Sequence, residues 1–391
     1  MKLLIIGCGQ CGGRIADEFA RLNRRARHQR GLEIITGAFA VNSDIADLSG
    51  LTAIEPDYRH RILIGGQKTS GRGVGKINEL GAEIAREDGD MVIDAMRTAR
   101  RFPETDAFLL IAGAAGGTGS GAIPVLTQQL KEQYIEKPIY NLIILPFRHE
   151  ERIEARAIYN SATCLKSAYS VADAIFLIDN QRYVRKKSAV KDNLASINAL
   201  AVDAFYNLLC AGEEKKPRYI GSRVVDAGDI IQTLVGWTII GCGKSQIPRF
   251  GSPRGLKRHF RKKATESQRG VQATDEAMGQ LSLRCNPVDS RRALYLLSAP
   301  PTQMNMEMTR EIGARLKSMA PEAVIRGGDY PREKGLLEVT VILSELYDVG
   351  KIMNYFTTTI ESIRAAKGDR EGIERKRREI EIGFEDIPSL L

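Results

Sequence analysis

Ala112-Gly113-Ala114-Ala115-Gly116-Gly117-Thr118-Gly119-Ser120-Gly121 follows directly on the apolar run Ala107-Phe108-Leu109-Leu110-Ile111. The apolar run has the length and composition of a buried strand. Four glycines in positions 116–121 let backbone N–H groups turn inward with no Cβ in the way. The next segment, Ile123 to Tyr134, reads as a helix whose N-terminal dipole aims at the same spot. Phosphate is the ligand such a construction suits best. Tight turns and close helix–strand contacts need glycine too, so the stretch alone leaves a purely structural reading open.

Two further glycine clusters accompany it. The chain opens with the strand Met1 to Ile6, then Gly7-Cys8-Gly9-Gln10-Cys11-Gly12-Gly13 and an amphipathic helix from about Arg14 to Arg27. Gly65, Gly66, Gly71, Gly73 and Gly75 follow the short strand Ile62-Leu63-Ile64. Three such turns after three strands point to one phosphate chain held by several loops.

Two familiar phosphate motifs fit less well. The first turn matches Gly-x-Gly-x-x-Gly, but a dinucleotide site expects a ribose-binding acid about 20 residues on. The nearest match, Asp44, lies later, in Ala40-Val41-Asn42-Ser43-Asp44, and such a site has no use for a second and third phosphate loop. Gly236 to Gly243-Lys244-Ser245 imitates a P-loop, with a gap between its glycines two residues too long. Trp237 to Ile240 also make that stretch an apolar strand.

In this order the loops resemble the tubulin/FtsZ superfamily of GTPases, most nearly the archaeal CetZ branch. GGTGSG at 116–121 is similar to the family signature, GCGQCGGRIAD at 7–17 to its first nucleotide loop, AVNSD at 40–44 to its second and GGQKTSGRGVGKINELG at 65–81 to its third. The resemblance runs to about residue 360. It implies an α/β fold with an N-terminal Rossmann-like GTPase domain (1–192), a long central helix (193–215), a smaller C-terminal α/β domain for assembly (216–365) and a C-terminal tail (366–391). GTP or GDP with Mg²⁺ would lie against Gly9, Gln10, Cys11 and Gly12, Asn42 and Asp44, Gly71 and Gly73, and Ala114, Ala115, Gly116, Gly117, Thr118, Gly119 and Ser120.

The remaining contacts read in the same way. Ile139 to Leu145 is a buried strand ended by Pro146; Glu150 and Glu151 then open a helix, where carboxylates also favour the dipole. By resemblance Glu150 meets the ribose. FtsZ members carry an arginine four residues on; here that place holds Glu154, with Arg156 nearby. Strand Ala174 to Ile178 ends in Asp179-Asn180-Gln181, similar to the tubulin turn whose asparagine reads guanine, and Asn198 matches the second base-contacting asparagine. Amide side chains offer both a donor and an acceptor to a purine edge. Each is, taken alone, also an ordinary cap or turn residue.

Val224-Val225-Asp226-Ala227-Gly228-Asp229-Ile230 resembles the family's synergy loop. Spacing i, i+3 puts Asp226 and Asp229 on one helical face, where a carboxylate can polarise a water for attack on phosphorus. An N-cap with a first-turn acid has the same pattern. In the family this loop completes the nucleotide site of the next subunit, so the implied partner is a second copy of the chain, added head to tail. Val224 stands where the family has asparagine.

Composition bounds the rest. With 391 residues, 43% of them hydrophobic, two domains and an ample core are expected. No apolar run suggests a membrane span and the first residues enter a strand, so a cytoplasmic protein is expected. The 6 cysteines and 4 histidines are scattered, Cys8-x-x-Cys11 lies inside the phosphate turn, and no metal site of protein ligands is expected. Much of the +9 charge lies between Lys244 and Arg269, where nine Lys or Arg face one acid, Glu266. With Pro248 and Pro253 this reads as a mobile basic loop able to meet an acidic neighbour, anionic lipid or nucleic acid. The rival function is a non-polymerising nucleotide sensor that holds nucleic acid there; the polymer reading expects no specific nucleic acid. A second α/β pattern runs from the strand at Ala293 to the helix at Ile363, and the tail ends in apolar residues able to dock on the body or on a partner.

Overall fold

The structure is a computed structural model and describes residues 1–184, 190–247, 258–333, 335–366 and 387–391. Among these the strands are β1 (Leu3–Cys8), β2 (Ile35–Asn42), β3 (Arg61–Leu63), β4 (Ala107–Gly113), β5 (Ile139–Leu145), β6 (Ala174–Asp179), β7 (Gly236–Gln246), β8 (Ser290–Ala299), β9 (Val324–Pro331) and β10 (Leu336–Leu346). The helices of the first half are α1 (Gly9–Arg30), α2 (Ile45–Ser49), α3 (Gly66–Thr69), α4 (Asn78–Arg97), α5 (Thr118–Gln133), α6 (Arg148–Ile153) and α7 (Ala157–Val171). Those of the second are α8 (Val190–Asp203), α9 (Tyr206–Ala211), α10 (Ala227–Thr233), α11 (Arg258–Gly279), α12 (Met306–Met319) and α13 (Gly350–Ala366).

The chain forms two compact units. The first holds Lys2–Arg25, Ile35–Val202 and Asp348–Leu391; the second holds Met1, Ala26–Ile34 and Asp203–Tyr347.

The first unit is built on a parallel sheet in the order β3-β2-β1-β4-β5-β6. Helices cover both faces of such a sheet, so its strands read as unbroken apolar runs, and β1 and β5 are buried at every residue. Chain order reverses between β1 and β4. In open parallel sheets the crevice at that reversal, outside the carboxyl ends of the strands, is where ligands bind. Cys8 pairs with Ala112, so both strands release the chain level with one another.

The helices leaving these strands start earlier than the sequence suggests. α1 begins at Gly9 and α5 at Thr118, inside the glycine turns, where Arg14 and Ile123 were expected. Glycine lowers helix propensity, but here it lets a helical first turn lie on backbone. A Cβ on Gly12 would stand 2.0 Å from the Ile111 carbonyl oxygen, and one on Gly119 would stand 2.6 Å from that of Cys8.

The second unit carries the sheet β7-β10-β8-β9, with β10 antiparallel to β7 and β8 and β8 parallel to β9. The P-loop imitation lies in β7, and its glycines admit α11: a Cβ on Gly243 would stand 2.0 Å from the Ala273 oxygen, and one on Gly241 2.3 Å from the Ala277 oxygen. The basic stretch is therefore not one loop. Lys244 lies within β7, residues 258–269 belong to α11, and residues 248–257 lie outside the described residues. Gly270, Ala273, Thr274 and Ala277 give α11 a buried small-residue stripe at helical spacing, which the charge run had masked.

The single helix expected over 193–215 is two segments, α8 and α9, meeting at Ala204 and Phe205. Phe205 is a buried aromatic, and the Leu209 N–H still bonds its carbonyl at 2.9 Å. The window Leu194–Ala211 has a mean hydropathy of 1.4 over 18 residues, enough by length and composition to cross a bilayer, against the sequence expectation. Of that window 56% is buried inside the protein, as in a core helix.

Candidate nucleotide site

At the reversal between β1 and β4 the N-termini of two long helices stand side by side. Gly9 takes φ +70°, which turns the chain from β1 straight into α1, and a Cβ there would lie 2.8 Å from the Gly119 nitrogen. Both helix dipoles and their unpaired N–H groups face one crevice, which favours an anion.

The third glycine cluster closes over this floor. Ser70, Gly71, Gly73, Gly75 and Lys76 all have positive φ, a run that three glycines make tolerable. A Cβ on Gly117 would meet Val74 Cγ2 at 2.5 Å and Lys76 Cα at 2.9 Å. The same loop pairs with the exit of β2: the Ile45 N–H donates to the Gly71 oxygen at 3.1 Å, the Gly73 N–H to the Ser43 oxygen at 3.0 Å, and Asp44 forms a bridge with Arg72. Four stretches that resembled nucleotide loops thus meet at one place.

Side chains lock the arrangement. Thr118 Oγ1 lies 2.6 Å from Ser43 Oγ at the exit of β2, and Ser120 Oγ donates to the Gly116 carbonyl, so both hydroxyls of the signature have protein partners. Asn42 Nδ2 donates to Asp47 at 3.0 Å and Gln10 Nε2 donates to its other oxygen at 2.5 Å. Asp44 caps α2, its Oδ1 accepting from the Ala46 and Asp47 N–H groups at 2.8 and 3.2 Å. Asn160, buried in α7, donates to the carbonyls of Lys76, Ala115 and Gly116. Asp47, Ser43 and Asn160 were not singled out in the sequence. For Asn160 the available signal was an amide on a helix face of small residues, with Ala157, Ser161 and Cys164 beside it.

Gly9, Gly12, Gly117 and Gly119 form the buried floor; Ala115, Gly116, Gly71 and Gly73 are half-buried at the rim, and Gln10 is exposed. The Cys11 thiol is half-buried among them. Burial first, and the Glu150 carboxylate second, push its pKa up to about 12 against the opposing Arg14, so it is a neutral thiol. Glu150 accepts the Phe147 N–H at 2.8 Å, fixing the first turn of α6. Glu154 pairs with Lys76, and Arg156 pairs with Glu79 through both carboxylate oxygens.

Past β6, Asn180 is buried at the start of a short 3-10 turn, where Asp179 accepts the Gln181 N–H at 3.1 Å. Lys351 of α13 holds Asp179 at 2.9 Å and Glu151 at 3.1 Å. Asn198 is half-buried in α8, in the same unit. Asp226 and Asp229 belong to the second unit. Asp226 is exposed and caps α10, accepting the Asp229 N–H at 2.9 Å, and Arg326 stands 3.8 Å from Asp229.

Residues 2–186 match the tubulin/FtsZ family GTPase domain, and residues 187–361 match the C-terminal domain of tubulin-like CetZ. Among curated proteins the chain is 32% identical to tubulin-like protein CetZ3 of Haloferax volcanii, over 95% of each chain.

The chain belongs to the tubulin-like CetZ family.

Its CetZ relatives include CetZ1 of the same organism, 34% identical over 93% of this chain and 92% of that protein. Among solved structures, the GDP-bound CetZ1 monomer from Haloferax volcanii superposes with a TM-score of 0.79 at 32% identity, over 93% of this chain and all (100%) of the other. A CetZ2 protofilament bound to GTPγS, from the same organism, gives 0.77 at 28% identity over 94% and 100%. The tubulin/FtsZ fold expected from the four loops is therefore the fold observed, and residues 2–186 are its GTPase domain.

Proposed function

We propose that this chain binds and hydrolyses GTP and assembles head to tail into protofilaments, with Asp226 and Asp229 of one subunit completing the nucleotide site of the next. The observation that carries the reading is the contact of Gly9 with Gly119 beneath the third glycine loop, which sets two helix N-termini against one anion site. The GDP-bound and GTPγS-bound CetZ relatives support a guanine nucleotide there, and the CetZ2 protofilament supports assembly.

In this reading backbone N–H groups of Gln10 to Gly12 and of the 114–120 turn hold the phosphates, Gly71 and Gly73 lie against the last of them, Glu150 meets the ribose, and Asn180 and Asn198 read the base. Phosphoryl transfer needs little beyond positioning and charge stabilisation. An exposed Asp226 orients the attacking water, with Asp229 one helical turn on beside Arg326. The family's Mg²⁺ fits the donor set. Asp44 offers a hard oxygen ligand at the second loop, and its Oδ2 accepts no hydrogen bond among the described residues. Asp44 would hold the ion, which would supply positive charge to the phosphates.

Light scattering and phosphate release, followed together over a protein concentration series with GTP and Mg²⁺, test the proposal. Specific activity rising above a threshold concentration supports it, together with an Asp226→Ala/Asp229→Ala variant that assembles without hydrolysing. Flat specific activity retained by the variant rejects it. The biological role that goes with the reading is control of cell shape; cells lacking the chain should lose their shape and still divide.

A further inference from the structure

The family match ends at residue 361, and one described stretch lies beyond α13: Ile387-Pro388-Ser389-Leu390-Leu391. It is seated on the first unit. Ile387 is 1% exposed and Leu390 4%, while Pro388 and Ser389 between them are exposed. Two buried apolar anchors three residues apart, with an exposed proline and serine between them, are the pattern of a docked peptide rather than of a core strand.

Its backbone is captured at three points by two helices. Lys166 of α7 donates to the Ile387 carbonyl, the Leu390 N–H donates to Ser167 Oγ at 2.7 Å, and Arg86 of α4 donates to the Leu390 carbonyl. Ser389 Oγ lies 3.5 Å from Ser167 Oγ. Pro388 has no N–H to satisfy and holds its own φ fixed, which lowers the ordering cost of docking. Basic side chains meeting carbonyls, with a buried serine meeting an N–H, form a receptor for main chain as well as for two side chains.

We propose that α4 and α7 form a peptide site whose ligand is the chain's own Ile387–Leu391 segment, and that the docked segment braces these two helices. The brace lies along helices that are already joined at their other end. Asn78 Nδ2 of α4 donates to Thr163 Oγ1 of α7 at 2.8 Å, Glu79 pairs with Arg156, and Asn160 holds the Lys76 carbonyl. Residues 76–79 continue the third glycine loop into α4, so a peptide that ties Arg86 to Lys166 and Ser167 steadies the support of that loop. The docking does not depend on which ligand the loop receives. A tethered ligand acts at high effective concentration, so each chain is expected to fill its own site.

The test uses a peptide of residues 387–391 with an N-terminal fluorophore, titrated by anisotropy without nucleotide. The full chain carrying Ile387→Asp and Leu390→Asp, which disable the resident segment, should bind it saturably. The native chain should bind it about tenfold more weakly, because its own segment competes. Adding Arg86→Ala and Lys166→Ala to the double variant, or Leu390→Asp to the peptide, should abolish binding. No saturable binding to the double variant, or equal binding to both chains, overturns the site. Amide exchange of residues 71–77 reads the brace: faster exchange in the double variant is expected, and unchanged exchange overturns it. GTP binding, measured separately, leaves both results standing if it fails.

Discussion

The side-chain amide of Asn160 lies 2.9 Å from the carbonyl oxygen of Lys76, tying the first turn of α7 to the third glycine loop. The same nitrogen reaches Ala115 at 3.2 Å and Gly116 at 3.0 Å, so one buried side chain joins that loop to the signature turn. Asn160→Ala strips the donor from these part-buried carbonyls, which should cost about 1 kcal/mol or more of stability. Nucleotide affinity should fall about tenfold or more at the same time. Asn160→Asp should be worse, since an ionised carboxylate accepts only. Thermal denaturation and GDP titration check both; a variant with native affinity would dissociate Asn160 from the loop.

Gly119 and Gly116 separate packing from ligand contact. A Cβ on Gly119 collides with the Cys8 backbone at 2.6 Å, whereas one on Gly116 has its nearest neighbour at 4.0 Å. Gly119→Ala should destabilise the protein by about 1–3 kcal/mol and destroy binding. Gly116→Ala should keep the native melting temperature and still lose nucleotide affinity, because the added methyl would meet the ligand alone.

Asp226→Asn distinguishes catalysis from capping. Asparagine caps a helix as well as aspartate does, so α10 and its bond to the Asp229 N–H should survive, while Asp226→Ala loses about 1 kcal/mol. Phosphate release should drop with either substitution if the charge matters. Val224, 39% exposed two residues before Asp226, offers no hydrogen bond to water. Val224→Asn should raise turnover, and unchanged turnover would remove that position from the reaction.

Glu79 should give the loop an acid-sensitive support. Desolvation raises its carboxyl pKa, but the Arg156 hydrogen bonds outweigh this and hold it below the ordinary value of 4.5. A carboxyl depressed in the folded state stabilises fully above its unfolded pKa and loses that contribution as pH falls through the folded one. Protease protection of residues 71–79 should therefore decline below about pH 4. Glu79→Gln should remove that pH-dependent component.

The Cys11 thiol, pushed up to about 12, should resist alkylation at pH 8, with roughly one molecule in ten thousand ionised. Bound nucleotide should slow the reaction further. Mass spectrometry of iodoacetamide-treated protein reads both; rapid labelling of Cys11 would contradict its placement.

The parallel strands were legible because most are apolar runs ended by glycine, proline or a polar turn, and the four loops were legible because they occur in order. The starts of α1 and α5 were not: Gly9 and Gly119 look like helix breakers until the strand ends beneath them are known. Asn160 escaped notice, and Ser43 was read only as part of the second loop, because their partners are 44 and 75 residues away in the chain. The small-residue stripe of α11 was overridden by the charge around it, and the turn at Phe205 falls within a sequence that is helical on propensity alone.

The floor of the candidate site also has a genetic consequence. A Cβ on Gly12 or Gly119 would meet backbone first, that of Ile111 and of Cys8. A steric lesion in a core is commonly repaired by trimming the opposing side chain, but here the opposing atoms are common to every amino acid. A suppressor screen begun from Gly119→Ala should therefore return reversions to glycine and few compensating second sites, leaving this part of the molecule with almost no room to change in sequence.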